Sequence, residues 1–280
     1  MAASSSSSSS DDDSSELVLV ERRTLLSSPS SSSDQKKVVG LVTLNRPSAL
    51  NALTFGMIKT IAGAFRSFED DGDVSCAVLC ARGKGFCAGV DLKAASQVFK
   101  RRDSYADSYE FDVVHQMERC SFPIVGVVHG AAITAGFEIA LACDVLVASE
   151  DAFFADTHCK WGIMPGWGLS QKLPRLVGIN NARLASLTSC KVSSGRALAW
   201  GLVQSVHGTR DLALQEALRI CQRVCRNDEG TVRAYKSVLN RGYGCTYEEG
   251  RELERRVAWN AYGEMDPDHF KRLARFKSKL

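Results

Sequence analysis

Apolar and polar positions alternate along the 280-residue chain in two distinct rhythms. Short apolar runs at 38–45, 76–81, 123–128 and 145–148 have the length of strands, and the second carries no polar residue, as expected for a strand covered on both faces. Between them the rhythm changes. Leu53, Met57, Ile61, Phe65 and Phe68 recur near every 3.6 residues, which predicts a helix over 49–68 with one face on the core. Residues 103–119 repeat that amphipathic pattern. A further helix is predicted to begin near Thr134-Ala135-Gly136 and to stop before Asp144, another spans 169–176, and from Asn181 the pattern reads as helical almost to the end. Two strand-like runs, Leu17–Val20 and Val38–Leu44, flank the serine cluster Ser27–Ser33 and read as a hairpin with a long loop. Strands alternating with helices predict an α/β core, with the helical last third packed on that core or on a neighbouring subunit.

Composition narrows the class. With 45% hydrophobic and 24% charged residues the chain has the balance of a soluble globular protein. The richest apolar stretch, Pro123 to Ala148, is interrupted by His129, Glu138 and Asp144, so no run of about 18 apolar residues exists to span a membrane. A net charge of +3 is too small for a nucleic-acid footprint. None of the ten cysteines forms a CxxC pair, and several lie inside apolar runs. They read as small buried hydrophobes in a reducing compartment, with no metal site.

The ends differ from the middle. Residues 1–15 are serine-rich with three successive aspartates and are expected to be disordered. They lack the basic start and apolar middle of a signal peptide, and the acids disfavour a transit peptide. The expected organisation is a core over 16–200, a helical C-terminal region over 201–277, and a terminal tripeptide. That tripeptide, Ser278-Lys279-Leu280, is the peroxisomal address read by a soluble import receptor.

Candidate chemistry gathers in two strand-to-helix loops. Ala88-Gly89-Val90 and Thr134-Ala135-Gly136 are built of small residues that let backbone N–H groups approach a ligand. Two such donors from separate loops can form an oxyanion hole; two tight turns are the plainer reading. Glu138 stands three residues after Ala135 in a helix otherwise made of Phe137, Ile139, Ala140, Leu141 and Ala142. A carboxylate there is costly unless paired or functional, which leaves catalysis or a core ion pair.

With these segments in view the chain resembles the enoyl-CoA hydratase/isomerase, or crotonase, superfamily over roughly residues 16–277. The matching segments are Leu44-Asn45-Arg46-Pro47 with Leu50-Asn51-Ala52-Leu53, then Gly85-Phe86-Cys87-Ala88-Gly89-Val90-Asp91-Leu92, then Gly130 to Asp144, then Gly162-Ile163-Met164-Pro165-Gly166. The resemblance implies an α/β fold of ββα repeats wound into a spiral, with a helical C-terminal region that oligomerises as a homotrimer or homohexamer. It implies a thioester oxygen held by the N–H groups of Val90 and Ala135, CoA contacts from Ala88, Gly89, Val90, Asp91, Leu92 and Lys93, and Ala52 near the pantetheine arm. It implies no cofactor, coenzyme A being part of the substrate.

The family's hydratases use two glutamates. Glu138 matches the first, but His158 stands where the second would fall, within Phe154-Ala155-Asp156-Thr157-His158-Cys159. His158 is either a second acid/base, suited by its ordinary pKa near 6.5, or a structural hydrogen-bonding residue. Asp156 either supplies the carboxylate itself or orients the imidazole. Trp161 and Trp167 are candidates to wall the acyl pocket, and His129 reads as structural. The reaction the resemblance implies is addition of water to a trans-2-enoyl-CoA in peroxisomal fatty-acid β-oxidation. Isomerisation, thioester hydrolysis and hydration of an aromatic enoyl-CoA share the oxyanion hole, and the missing second carboxylate counts against the isomerase. A non-catalytic acyl-CoA-binding protein is the remaining alternative.

Overall fold

The computed structural model describes residues 14–25, 37–95, 110–265 and 268. The serine cluster Ser27–Ser33, residues 1–13 of the serine tail, 103–109 of the predicted amphipathic helix, and the tripeptide Ser278-Lys279-Leu280 lie outside the described residues. Ser14 and Ser15 open a short helix, Ser14–Leu17, which begins two residues before the expected boundary at 16.

The main sheet has six strands. β1 (Val18–Leu25) and β2 (Lys37–Leu44) form the predicted hairpin, paired antiparallel from Val18–Leu44 to Leu25–Lys37. β1 runs well past Val20 because it is an edge strand, whose outer positions tolerate Glu21, Arg22 and Arg23. β2 is followed in the sheet by β3 (Val74–Ala81), β4 (Ile124–Val128), β6 (Val145–Ser149) and β9 (Ser205–His207), all parallel. Every residue of β3 is buried, as its unbroken apolar run predicts.

A second sheet is formed by β5 (Ala131–Ile133), β7 (Phe153–Ala155) and β8 (Val192–Ser193). After β4 the chain bends at His129-Gly130 into β5, and after β6 it bends again into β7. The β4–β5 and β6–β7 passes each contribute a strand to both sheets and then a helix, which is the expected ββα repeat. β5, β8 and β9 are too short, at two or three residues, for their periodicity to stand out from the flanking helical pattern.

The helices follow from their caps. The helix predicted from residue 49 begins instead at Phe55 (Phe55–Asp71), because Leu50 and Asn51 adopt left-handed backbone and the Thr54 hydroxyl accepts the Met57 N–H. Its apolar stripe, Met57, Ile61, Phe65 and Phe68, is fully buried. Of the 103–119 pattern, Val113–Arg119 is helical and capped by Asp112.

The core also extends beyond the expected boundary at 200. On one face of the main sheet Val39, Leu41, Cys76, Val78, Cys80, Val125, Val127 and Val147 pack against Ala213, Ala217 and Cys221 of the helix Arg210–Cys225. Together with β9 this places residues 201–227 in the compact unit that ends at Asn227. A second unit starts at Asp228 and includes the helices Glu229–Gly242 and Tyr247–Gly263, the latter opened by a capping box between Thr246 and Glu249. Among the described residues no helix is long and apolar enough to cross a membrane, and no disulfide joins any of the ten cysteines.

Candidate active site

Three stretches of chain run side by side in the second sheet and end together. Cys87 bridges Ala132 of β5 in parallel, and β5 pairs in parallel with β7. Beyond their C-terminal ends lie Val90, the helix Ala135–Leu141 and the helix His158–Trp161. Parallel strands that end in register deliver their succeeding loops and helices to one place, so the residues singled out by motif are brought together by strand pairing.

Backbone geometry shapes the first wall. Leu53 pairs with the residues on both sides of Val90: its N–H donates to Gly89 O (2.8 Å), and the Asp91 N–H donates to Leu53 O (2.9 Å). In a parallel bridge of this kind the Val90 N–H points away from Leu53. The Ala135 N–H opens its helix, where no carbonyl lies one turn back to receive it. Neither amide donates to another described residue. Thr134, which sets the direction of the Ala135 amide, holds φ 46° and ψ −113°, a backbone strain of about 1–3 kcal/mol for a β-branched residue.

The two amide-bearing loops touch without intervening side chains. A Cβ on Gly136 would lie 2.3 Å from Cys87 O, and one on Gly89, at φ +100°, would lie 2.4 Å from Thr134 Oγ1. Only glycine permits this approach. Cys87 is no nucleophile: burial pushes its thiol up to about 12.

The loop expected to meet CoA is braced from within. Asn51, fully buried, accepts the Arg46 N–H through Oδ1 (2.7 Å) and donates through Nδ2 to Arg82 O (2.9 Å) and Gly85 O (2.8 Å). Arg46 Nη1 donates to Ala52 O (2.9 Å) and to Asp91 Oδ2 (2.6 Å), and Asp91 Oδ1 accepts the Lys93 N–H (2.8 Å). The Arg46 guanidinium holds the Asp91 carboxyl below its ordinary value, with help from the Lys93 amide. Asp91 therefore shapes the loop, while Leu92 (86% exposed) and Lys93 face outward. Ala88 donates its N–H to Leu50 O.

Glu138 sits one turn into its helix on the same face as Ala135 and is 3% exposed. Its Oε1 accepts the Trp167 N–H at 2.8 Å, and the Leu169 N–H serves it as well. Its Oε2 lies 3.8 Å from His158 Nε2. On the far side of the ring His158 Nδ1 is 2.7 Å from Asp156 Oδ1, which also accepts the His158 backbone N–H at 3.2 Å. The Ser186 side chain hydrogen-bonds Asp156 too. Glu138, His158 and Asp156, all buried, thus form one chain.

Burial pushes Glu138 above the ordinary carboxylate range, against the Trp167 and Leu169 amides and the His158 charge. For His158 burial acts downward, but the hydrogen bond to Asp156 and the charges of Glu138 and Asp156 prevail and raise it. For Asp156 burial acts upward and is outweighed by bonds from His158 and Ser186, which leave it low.

The remaining candidates separate. Trp167 packs on the core and contributes its backbone amide, a role that no side-chain motif could reveal. The Trp161 ring is 65% exposed, with the Lys160 ammonium over it, and is not enclosed as a pocket wall. His129 is buried with Nε2 3.0 Å from Gly83 O, a structural contact, and burial lowers its pKa. Among the described residues no group of three His, Cys, Asp or Glu is arranged to hold a metal. Sequence patterns missed Asn51 as a brace and Ser186 as a partner of Asp156. Asn51 carried a signal as the one polar residue of Leu50-Asn51-Ala52-Leu53; Ser186 carried none.

The family pattern described as enoyl-CoA hydratase/isomerase matches residues 34–278. A probable peroxisomal enoyl-CoA hydratase of Arabidopsis thaliana is 42% identical over 238 residues, covering 85% of this chain and 88% of that protein. A probable mitochondrial enoyl-CoA hydratase of Dictyostelium discoideum is 35% identical over 81% of each. Among solved structures, the enoyl-CoA hydratase of Mycobacterium tuberculosis superposes with a TM-score of 0.66 at 32% identity, covering 87% of this chain and 98% of that one.

Proposed function

This chain belongs to the enoyl-CoA hydratase/isomerase family, and from that premise we propose that it adds water to trans-2-enoyl-CoA thioesters to give 3-hydroxyacyl-CoA. The observation that carries the reading is the pairing of a buried carboxylate, Glu138, with His158 Nε2 at 3.8 Å, beside two amides that have no acceptor among the described residues. That separation is too long for a direct hydrogen bond and suits two groups sharing one water. The thioester oxygen accepts the Val90 and Ala135 N–H groups. Glu138 takes a proton from the water as its oxygen bonds to the β carbon. The double-bond electrons move onto the thioester, where the two amides stabilise the enolate charge as it develops. The His158 imidazolium then gives its proton to the α carbon. Glu138 ends protonated and His158 neutral, and one proton passed back between them resets the site.

Coenzyme A enters as part of the substrate, and the chemistry calls for no further cofactor. Ala52 and the Ala88–Lys93 loop hold its pantetheine and adenine ends. The setting is the peroxisome, a reading supported by the Ser278-Lys279-Leu280 tripeptide, to be bound by an import receptor, and by the name of the Arabidopsis relative. The protein is a homotrimer or homohexamer; sedimentation distinguishes them. Removing the tripeptide from a fluorescent fusion should leave the protein in the cytosol.

The decisive assay follows loss of the crotonyl-CoA enoyl absorbance. The wild type should consume it, and Glu138→Gln should lower kcat by about 100-fold or more. A wild type that binds crotonyl-CoA without turnover, or a Glu138→Gln variant of undiminished rate, refutes the reading.

A further inference from the structure

Two carboxylates approach the two ring nitrogens of His158 from opposite sides, and they are not equivalent. Asp156 Oδ1 is in direct hydrogen-bond contact with Nδ1 at 2.7 Å, whereas Glu138 Oε2 stands off from Nε2 at 3.8 Å. We propose that Asp156 is a positioning residue, whose carboxylate fixes the imidazole with Nδ1 protonated and Nε2 presented to Glu138 and the substrate. This deepens the function proposed above and rests on His158 being the proton donor of that reaction.

The chemistry of the contact fixes the tautomer. An ionised carboxylate only accepts, so a ring nitrogen 2.7 Å from it must carry the hydrogen. When the ring is neutral its lone pair is on Nε2, and when it is charged the proton available for transfer is the one on Nε2. Asp156 also accepts the His158 backbone N–H, so one oxygen holds both main chain and ring of the same residue. The second anchor is the Ser186 side chain, from the neighbouring helix Ile179–Thr188. Asp156 is unsuited to be the acid itself: its oxygen already receives two N–H groups, and its carboxyl stays low. Asp156 and Glu138 are the charged groups that face the ring. Where two glutamates would repel each other's charge, this site places an imidazolium between two carboxylates, so the proton-donating form is stabilised by its neighbours.

The tautomer can be read in the unaltered protein by ¹⁵N chemical shifts of the labelled imidazole. The neutral ring should be the Nδ1–H form; an Nε2–H form overturns the proposal. In Asp156→Asn, whose amide can donate to Nδ1, the ring should switch to Nε2–H. Its kcat should fall by about 100-fold or more with KM changed less than about threefold, and the alkaline limb of the rate profile should move to lower pH. The control is the same substitution in a His158→Gln background, where it should cost little further rate. Equal losses of kcat with and without His158 would show a merely structural role and overturn the proposal, whatever the change in Tm. If His158→Gln alone keeps the wild-type rate, the proton-donor assignment fails. A wild-type Nδ1–H ring in that case would leave Asp156 holding an imidazole without a catalytic part, which also overturns the positioning claim.

Discussion

His158 Nε2 lies 3.8 Å from Glu138 Oε2, with both side chains buried. In the proposed reaction the two groups must be in opposite protonation states for water to add in one pass: Glu138 ionised to take a proton, His158 charged to give one. Burial raises Glu138, so its acid limb falls above the ordinary carboxylate value of about 4.3. His158, raised by Asp156 and Glu138 against the effect of burial, loses its proton above the ordinary value of about 6.5. kcat/KM against pH should therefore be bell-shaped. It should fall below the Glu138 pKa as the base becomes protonated, and above the His158 pKa as the acid is lost. His158→Gln should abolish the alkaline limb along with most of the rate. A profile flat through the alkaline range in the wild type would exclude His158 as the acid.

Gly136 sets how closely the two amide-bearing loops approach. A methyl group there would be placed 2.3 Å from Cys87 O, so Gly136→Ala must push the helix Ala135–Leu141 off the 87–90 loop. The expected loss of stability is about 1–3 kcal/mol. The larger effect should be on turnover, because separating the Val90 and Ala135 amides weakens the proposed oxyanion contact, which would be worth about 100-fold in kcat. Thermal melting and steady-state kinetics on one preparation test this; a lowered Tm with full kcat would show that the approach serves packing alone.

Asn51, fully buried, satisfies three backbone groups. Asn51→Ala leaves the Arg46 N–H and the Arg82 and Gly85 carbonyls unpartnered and puts alanine at φ 56°. A loss of about 3 kcal/mol is expected, since each buried orphan costs about 1–3 kcal/mol and some will find water. Because these groups tie the 46–52 segment to the 82–85 loop, KM for the enoyl-CoA should rise more than kcat falls. Denaturant unfolding and a substrate titration measure the two effects.

The sequence made some of this legible and concealed the rest for physical reasons. β3 could be read because Cys76 to Ala81 has no polar residue, and the helix Ala135–Leu141 because Glu138 is so conspicuous among apolar neighbours. Val90 and Ala135 stood out as candidates through their glycine-bearing loops and the family resemblance. The partnership of His158 with Asp156 was not legible, because it depends on a ring orientation fixed by a 2.7 Å contact. The Trp167 contribution was hidden because a backbone amide has no residue signature. β5 and β7, which gather the site, are three residues each, and their pairing is a tertiary fact.

The compact unit runs past the boundary expected at residue 200 for a related reason. From Asn181 the pattern reads as helical almost to the end, but periodicity does not say what a helix covers. Ala213, Ala217 and Cys221 cover Val39, Leu41, Cys76, Val78, Val125 and Val127, and Cys76 Sγ and Cys221 Sγ lie 3.1 Å apart at the centre of the contact. A chain ended after Trp200 would leave that face of the sheet exposed and would also lose β9, which pairs with Val147, Ala148 and Ser149. Such a chain should be insoluble or should melt without a cooperative transition. A chain ended after Asn227 retains the whole unit and should melt cooperatively, with a far-UV spectrum that still shows strand and helix. Differential scanning calorimetry of the two truncations decides the matter: a cooperative transition in the shorter chain would mean that the helix Arg210–Cys225 is dispensable to the core.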